Sequence, residues 1–383
     1  MTLASRPSSA AAPVSRPAAA PYRVMVVDDS AVIRGLVGRW LAADAAVQVV
    51  ASCPNGKVAV TDAARMRPEV VVLDIEMPEM DGITALPKLI AAVPGLKVIM
   101  ASTLTLKNAD ISLKALAAGA ADYIPKPSST AEMTGADVYK RELVEKVKAL
   151  GAAFRQATGG RGAGPQPLAM RKPAGLYGSQ PIALRKFTPQ RRQVLAIGSS
   201  TGGPQALFGL FRELKGKLDV PVLITQHMPK TFTTILAEHL RRIVGGPCDE
   251  AKDGEPLKPG QIYIAPGDFH MTVVGTGAAR AIRLNQDAPE NFCRPAVDPM
   301  LRSLVQAYGS GVLAVVLTGM GQDGLKGSRA LGETGAALLA QDEASSVVWG
   351  MPGAVASAGL CHAVLPLDRI GAAIVKVLQG GSP

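Results

Sequence analysis

Short apolar runs of strand length, each ending in polar residues and followed by a helical pattern, recur through most of this chain. VMVV (24–27), VVVL (70–73) and VIMA (98–101) are the first three. Residues 31–41 and similar stretches between them carry helical spacing. Alternation of this kind leaves a parallel sheet covered on both faces as the expected fold. The pattern breaks between about 151 and 190, where GGRGAGPQP and RKPAGLYGSQP have linker composition. It resumes at Val194 with VLAIGS, VLITQ, IYIA, VLAVVLT and ALLAQ as strand candidates. Two doubly wound parallel-sheet α/β domains joined by a linker are therefore expected. The expected boundaries are a tail over 1–21, a first domain over 22–145, a linker over 146–190 and a second domain over 191–383.

At 383 residues the chain has length enough for both domains. With 48% hydrophobic residues but only 4% aromatics, alanine, glycine and valine must fill most of the core. The longest apolar run, around 312–317, suits a buried strand and falls far short of the ~18 residues that cross a bilayer. The proline-broken tail has no continuous apolar segment and is expected to be disordered rather than a targeting peptide. Four widely spaced cysteines, Cys53, Cys248, Cys293 and Cys361, form no metal-binding spacing. They are expected to be buried thiols in a reducing cytoplasm, so the protein is placed there without membrane insertion. The net charge of +10 raises the possibility of nucleic-acid binding. Much of the excess lies in the linker region, at Arg155, Arg161, Arg171, Lys172, Arg185, Lys186, Arg191 and Arg192. No zinc finger or RNA-binding aromatic signature accompanies it, and a DNA-binding output would require a helix-turn-helix where a second α/β pattern stands. No nucleic-acid partner is expected.

Carboxylates gather where the first domain's strands end. Asp28 and Asp29 follow the first strand, and Asp74 closes the third. The carboxyl edge of a parallel sheet is where sites form, and three such groups make a hard oxygen site suited to Mg²⁺. Lys126, after a later apolar stretch, can offer a cation to a phosphoryl group on one of them. Ser102, at the end of VIMA, can offer a hydroxyl.

In the second domain, a strand runs into Gly198-Ser199-Ser200-Thr201-Gly202 and then a helix beginning near Pro204. This is G-x-S-x-G in strand–turn–helix context, with Ser200 as candidate nucleophile. The helix N-terminus offers backbone N–H groups to a tetrahedral oxyanion. A glycine-rich turn before a helix can also cradle phosphate, although the lysine of a P-loop is missing. Of four histidines, His227 closes the strand after the nucleophile strand, so it is the candidate base. His239 sits on an amphipathic helical stretch, where it would pack or meet solvent. Asp323, after VLAVVL, is the candidate orienting acid, with Asp268 and Asp298 as competitors.

Over about 22–145 the chain resembles the receiver domain of two-component response regulators, in VVDDS, VVLDIEMPEMDG, VIMAST and DYIPKP. The resemblance implies that Asp74 is phosphorylated by a histidine kinase of the chemotaxis type, with Asp28, Asp29 and Asp74 holding Mg²⁺. It also makes Ser102 and Lys126 a switch pair and Tyr123 a switch aromatic, although Tyr123 reads equally well as a core ring. Over about 193–378 the chain resembles the chemotaxis protein-glutamate methylesterase family, in IGSSTGGP, TQHMP, IYIAPGDFHM, RPAVD, LTGMGQDG and QDEASSVVWGMP. That resemblance makes Ser200, His227 and Asp323 the triad, with Thr201 and Met320 lining the nucleophile and oxyanion region. Ser199 stands where the family often has alanine, which leaves two adjacent hydroxyls. The implied activity is hydrolysis of glutamate γ-methyl esters, and deamidation of glutamines, on methyl-accepting chemotaxis receptors, with no metal in the esterase step. The alternative is a response regulator whose second domain docks on receptors without catalysis.

Overall fold

The computed structural model describes residues 20–103, 105–126, 133–159 and 182–383. The expected tail lies outside them except for its last two residues. The first domain runs β1 (Tyr22–Val27), α1 (Ala31–Ala42), β2 (Val47–Cys53), α2 (Gly56–Met66), β3 (Val70–Asp74), then α3 (Gly82–Ala92). It continues through β4 (Lys97–Ser102), α4 (Leu106–Ala117), β5 (Asp122–Pro125) and α5 (Met133–Ala157). All five strands are parallel in the order β2-β1-β3-β4-β5. Strand alternation divides the side chains between two faces. Val24, Val26, Val70 and Val72 pack with Leu41 of α1 and Leu143 and Val147 of α5. Met25, Val27, Val71 and Leu73 pack with Leu86 and Leu89 of α3 and Leu113 of α4. Helix starts are fixed by side-chain caps: Asn55 Oδ1 accepts from Val58 N at 2.9 Å, and Asp81 Oδ1 from Thr84 N at 2.7 Å.

One expected boundary changes. The linker was to begin at 146, but α5 runs on to Ala157. The stripe of Leu143, Val147 and Leu150 continues one turn to Phe154, which packs against the core. Arg155 then fastens the end: its Nε and Nη2 donate to the buried Glu69 carboxylate at 2.6 and 2.9 Å, and its guanidinium lies over the Tyr22 ring. Replacing Arg155 with alanine leaves Glu69 short of its partner, an expected cost of about 2 kcal/mol once the partial exposure of Arg155 is allowed for. A lowered urea midpoint of a 20–159 fragment is the check.

The second domain runs β6 (Val194–Ser199), α6 (Gly203–Glu213), β7 (Val222–Gln226), α7 (Lys230–Val244), β8 (Cys248–Glu250), β9 (Ile262–Ile264), then β10 (His270–Val274). It continues with β11 (Ala281–Asn285), α8 (Val297–Tyr308), β12 (Val312–Val316), α9 (Leu325–Glu333) and β13 (Ala337–Gln341). The chain ends with α10 (Met351–Ser357), β14 (Ala363–Leu365) and α11 (Leu367–Leu378). Seven strands form a parallel sheet in the order β14-β13-β12-β6-β7-β9-β8, and β10 and β11 make a separate antiparallel hairpin. Among the described residues no helix-turn-helix follows the first domain.

The second end of the expected linker is also corrected. Residues from 185 to 192 lie on the second domain: Arg185 N donates to Cys361 O at 2.8 Å, and Phe187 meets the His362 ring edge-on. The Arg192 side chain is buried and donates to the carbonyls of Ser310, Gly335 and Thr188. Arg155 and Arg192 are thus bound within the protein, which removes part of the charge that suggested a basic patch. Arg161, Arg171 and Lys172 lie outside the described residues. Among the described residues no helix is long and apolar enough to cross a membrane.

Both sheets change winding direction beside their first strand, between β1 and β3 in the first and between β6 and β12 in the second. In a doubly wound sheet the crevice at the carboxyl end of such a reversal is left uncovered by the crossover helices. Both candidate sites stand at these points.

Candidate functional site

In the first domain Asp28 and Asp29 follow β1, and Asp74 ends β3. Their carboxylate oxygens lie within 4.8 Å of one another. Lys126 Nζ reaches across to Asp28 Oδ2 and Asp74 Oδ1, each at 2.7 Å. Burial pushes the Asp74 carboxyl up, against the pull of Lys126. The two acids on either side and the lysine surround the phosphoacceptor position expected at Asp74. Ser102 is brought to the same edge at the end of β4, buried, with its hydroxyl 3.1 Å from that of Ser112.

In the second domain β12, β6 and β7 are neighbours, and each hands one expected residue to a common edge. Ser200 follows β6. Its neighbour Ser199 is fully buried and donates from Oγ to Gln226 Oε1 at 2.7 Å. Gln226 Nε2 in turn donates to Ser200 O at 3.0 Å. Gly203 is needed for this approach, since a Cβ there would stand 2.0 Å from Gln226 Oε1. Gly202, with φ +78°, makes the left-handed turn that starts α6 directly behind Ser200. The two adjacent hydroxyls therefore have different surroundings: Ser199 is enclosed and committed, while Ser200 is only partly buried.

His227 occupies the next rung after Gln226, its backbone N donating to Ser199 O at 3.1 Å. Its ring Nε2 is 2.7 Å from Asp323 Oδ2. Asp323 follows β12 and is buried. It also accepts from Val297 N at 2.6 Å, and from Asp298 N and Asn291 Nδ2 at 3.0 Å. Of the three carboxylates weighed for this role, Asp323 is the one that meets the imidazole. Asp268 sits on a left-handed residue of another loop, its backbone N bonded to Arg294 O. Asp298 lies one residue into α8, where Oδ1 accepts from Gly327 N at 2.7 Å. Neither Asn291 nor Gln226 was expected at the site: Asn291 carries no periodic or motif signal, and Gln226, within TQHMP, stands beside the more reactive His227.

The charges around His227 are unequal. Burial disfavours the ring's cation, but the negative charge available at Cys293 and the hydrogen bond to Asp323 outweigh it and hold His227 up at about 10. Asp323 is buried too, yet its bond to His227 keeps it below the usual carboxylate range. Asp298 is pushed up to about 6 by burial and by the charge of Asp323. Its carboxyl favours folding most at pH below about 4, and that contribution is lost as pH rises through 6. An Asp298→Asn variant is expected to lose this falling limb. Denaturant midpoints measured from pH 4 to 7 should converge or cross between the two proteins.

The first domain packs over this edge. Thr201 Oγ1, one residue past Ser200, donates to Asp122 Oδ2 of β5 at 2.7 Å. The buried Lys146 donates to the same oxygen at 2.7 Å and to Tyr123 O at 2.9 Å, and pairs with Glu142 of its own helix at 3.4 Å. The Tyr123 ring stacks on Phe232 of α7, centroids 4.2 Å apart and 13° from parallel. Tyr123 is thus a buried ring that also touches the other domain, and burial pushes its hydroxyl well above its ordinary value. Met320, expected to line the oxyanion region, packs with Val347 and Val348 in a cluster that includes Ile124 and Tyr139. His239 packs, its ring stacked on Phe208 with centroids 5.9 Å apart, and its Nε2 also lies 2.8 Å from Asp110 Oδ1 of α4.

Residues 195–374 match the CheB methylesterase family, and residues 24–136 match the response regulator receiver domain. The chain is 57% identical over 371 residues to a protein-glutamate methylesterase/protein-glutamine glutaminase of a group 2 operon from Rhodospirillum centenum, covering 93% of this chain and 94% of that protein. It is 58% identical over 379 residues to a protein-glutamate methylesterase/protein-glutamine glutaminase from Azospirillum brasilense, covering 97% and 96%. The CheB methylesterase catalytic domain of Thermotoga maritima is 38% identical, covers 49% of this chain and 98% of its own, and has a TM-score of 0.47.

Proposed function

The chain belongs to the CheB methylesterase family with a response regulator receiver domain in front of it, and from that premise we propose that it is a phosphorylation-controlled serine hydrolase. It cleaves glutamate γ-methyl esters on chemotaxis receptors, releasing methanol, and deamidates receptor glutamines. The observation that carries the catalytic half is the His227–Asp323 pair at 2.7 Å on the strand edge that also carries Ser200. Asp323 engages Nε2, so Nδ1, once the ring has shed the proton that Cys293 and Asp323 favour there, is the nitrogen that takes the Ser200 proton as Oγ attacks the ester carbonyl. Asp323 then stabilises the imidazolium, as the acid of such a triad does. The N-terminal end of α6 points its positive dipole at the developing oxyanion. Methanol leaves with the proton from His227, and water attacks the acyl-enzyme with His227 again as base. Ser199, buried and bonded to Gln226, serves as turn scaffold rather than nucleophile.

The control half rests on the packing of β5 and α4 against α6 and α7. A chemotaxis histidine kinase phosphorylates Asp74. Asp28, Asp29 and Asp74 fit a hard divalent cation; they would hold Mg²⁺, which would supply charge neutralisation for a phosphoryl group on Asp74. Lys126 already bridges two of these carboxylates and is placed to bind a phosphoryl oxygen on Asp74. With the receiver docked, a receptor helix is denied the Ser200 edge, and phosphorylation shifts the population toward an open form.

Methanol release from a methylated receptor fragment tests both halves. Wild type and Ser200→Ala are compared, each with and without a small phosphodonor and Mg²⁺. Donor-stimulated release that vanishes in Ser200→Ala is the expected result. Release that survives in Ser200→Ala would reassign the nucleophile.

A further inference from the structure

Cys293 departs from the expectation of four equivalent buried thiols. Cys53, Cys248 and Cys361 are buried, and burial pushes their thiols up to about 11, 12 and 12. Cys293 is only partly buried, and its Sγ lies 3.4 Å from His227 Nδ1. With Asp323 on Nε2, the result is a continuous chain of thiol, imidazole and carboxylate.

The turn that carries the thiol holds it in place. Glu290 and Cys293 exchange backbone hydrogen bonds, Glu290 N to Cys293 O at 3.1 Å and Cys293 N to Glu290 O at 2.9 Å. The two residues between them, Asn291 and Phe292, have φ of 52° and 63°, the geometry of a two-residue turn with both central residues left-handed. Asn291 Nδ2 ties the turn to Asp323 and to Asp298. Arg302 pairs with Glu290 at its base, and Arg141 of the receiver lies 4.2 Å over the Phe292 ring at its tip. The sulfur is thus held against the nitrogen that the proposed mechanism reserves for Ser200.

Resting on that reading of the site, we infer that Cys293 is a peroxide-sensitive modification site whose oxidation reversibly stops the hydrolase by occupying His227. A thiol bonded to an imidazole can pass its proton to the ring, and the thiolate is the nucleophilic form. The sulfur lone pair displaces hydroxide from hydrogen peroxide: the S–O bond forms as the O–O bond breaks. Sulfur is oxidised by two electrons, peroxide is reduced, and the departing hydroxide takes the imidazolium proton to become water. The product is a sulfenic acid, whose added oxygen stands at Nδ1 and keeps it from the Ser200 proton. A thiol reductant reverses the change: one thiol condenses with the sulfenic acid to a mixed disulfide and water, and a second releases Cys293.

The test uses the full-length protein treated with hydrogen peroxide, with and without dimedone, followed by peptide mass mapping. Methanol release is measured before treatment, after it, and after dithiothreitol. Wild type should carry the dimedone adduct at Cys293, lose at least tenfold in rate without dimedone, and regain the rate with dithiothreitol. Cys293→Ser, compared with its own untreated rate, should lose less than twofold. Absence of an adduct at Cys293, or equal losses in wild type and Cys293→Ser, overturns the inference. Absence of methanol release before treatment would count against the hydrolase reading instead, while the dimedone map would still decide whether this thiol is the reactive one.

Discussion

An Asp323→Asn variant is expected to release methanol about 10³–10⁴-fold more slowly than wild type, with the loss in kcat and little change in KM. Asp323 is a pure acceptor in its place: His227 Nε2, two α8 amides, Asn291 Nδ2 and the Gly324 amide at 2.9 Å all converge on its two oxygens. An asparagine would have to turn its NH₂ toward one set of these donors. Turned toward His227, it forces the ring to accept at Nε2 and carry its proton on Nδ1, so the base nitrogen is already protonated when Ser200 approaches. Turned toward α8, it faces backbone N–H groups with a donor and loosens the helix start. In both arrangements the imidazolium formed during the reaction loses its counter-charge. Steady-state kinetics with a thermal-unfolding control separate the two. A normal melting temperature with collapsed kcat supports the orienting role. A rate within tenfold of wild type would remove Asp323 from the triad.

The second large effect concerns control. A 182–383 fragment is expected to hydrolyse receptor esters at least tenfold faster than the unphosphorylated full chain, and the full chain with phosphodonor and Mg²⁺ should approach the fragment. The fragment begins at 182 because the segment through Arg192 is bound to the second domain. A tenfold change needs only about 1.4 kcal/mol of difference between docked and open forms. The interface supplies groups of that size: the Tyr123–Phe232 stack, the Thr201–Asp122 hydrogen bond and the His239–Asp110 pair. Their route to Asp74 is short. Ser102 ends β4 and pairs in register with Pro125 of β5, while Met100 pairs with Tyr123. A phosphoryl group that draws on Ser102 and Lys126 therefore pulls at the carboxyl end of the short strand that carries Asp122 and Tyr123. In the full chain, Asp74→Asn should hold the rate at its unstimulated level when donor is added. Equal rates for fragment and unphosphorylated full chain would exclude inhibition by packing.

The two α/β domains and most of the candidate site residues were legible in the sequence for one reason. A strand of a parallel sheet buried on both faces is a short continuous apolar run, and its carboxyl end is where the chain turns polar. Asp28, Asp74, Ser200, His227 and Asp323 all sit at such ends, so their placement follows from local pattern plus strand adjacency. The end of α5 was misplaced because its last turn is held by Phe154 and Arg155, and the partners of Arg155 stand at Tyr22 and Glu69. Residues 185–192 look like linker because arginine, lysine and proline dominate their composition, yet Arg192 is buried among carbonyls. Asp122, Tyr123, His239 and Cys293 show the same limit more sharply. Spacing along the chain reports which face of an element is apolar, but not which distant side chain will meet it. Only the docking of β5 and α4 on α6 and α7 gives Asp122 its Thr201, Tyr123 its Phe232 and His239 its Asp110. Only a left-handed turn, tied by Asn291 to Asp323, sets the Cys293 sulfur beside His227.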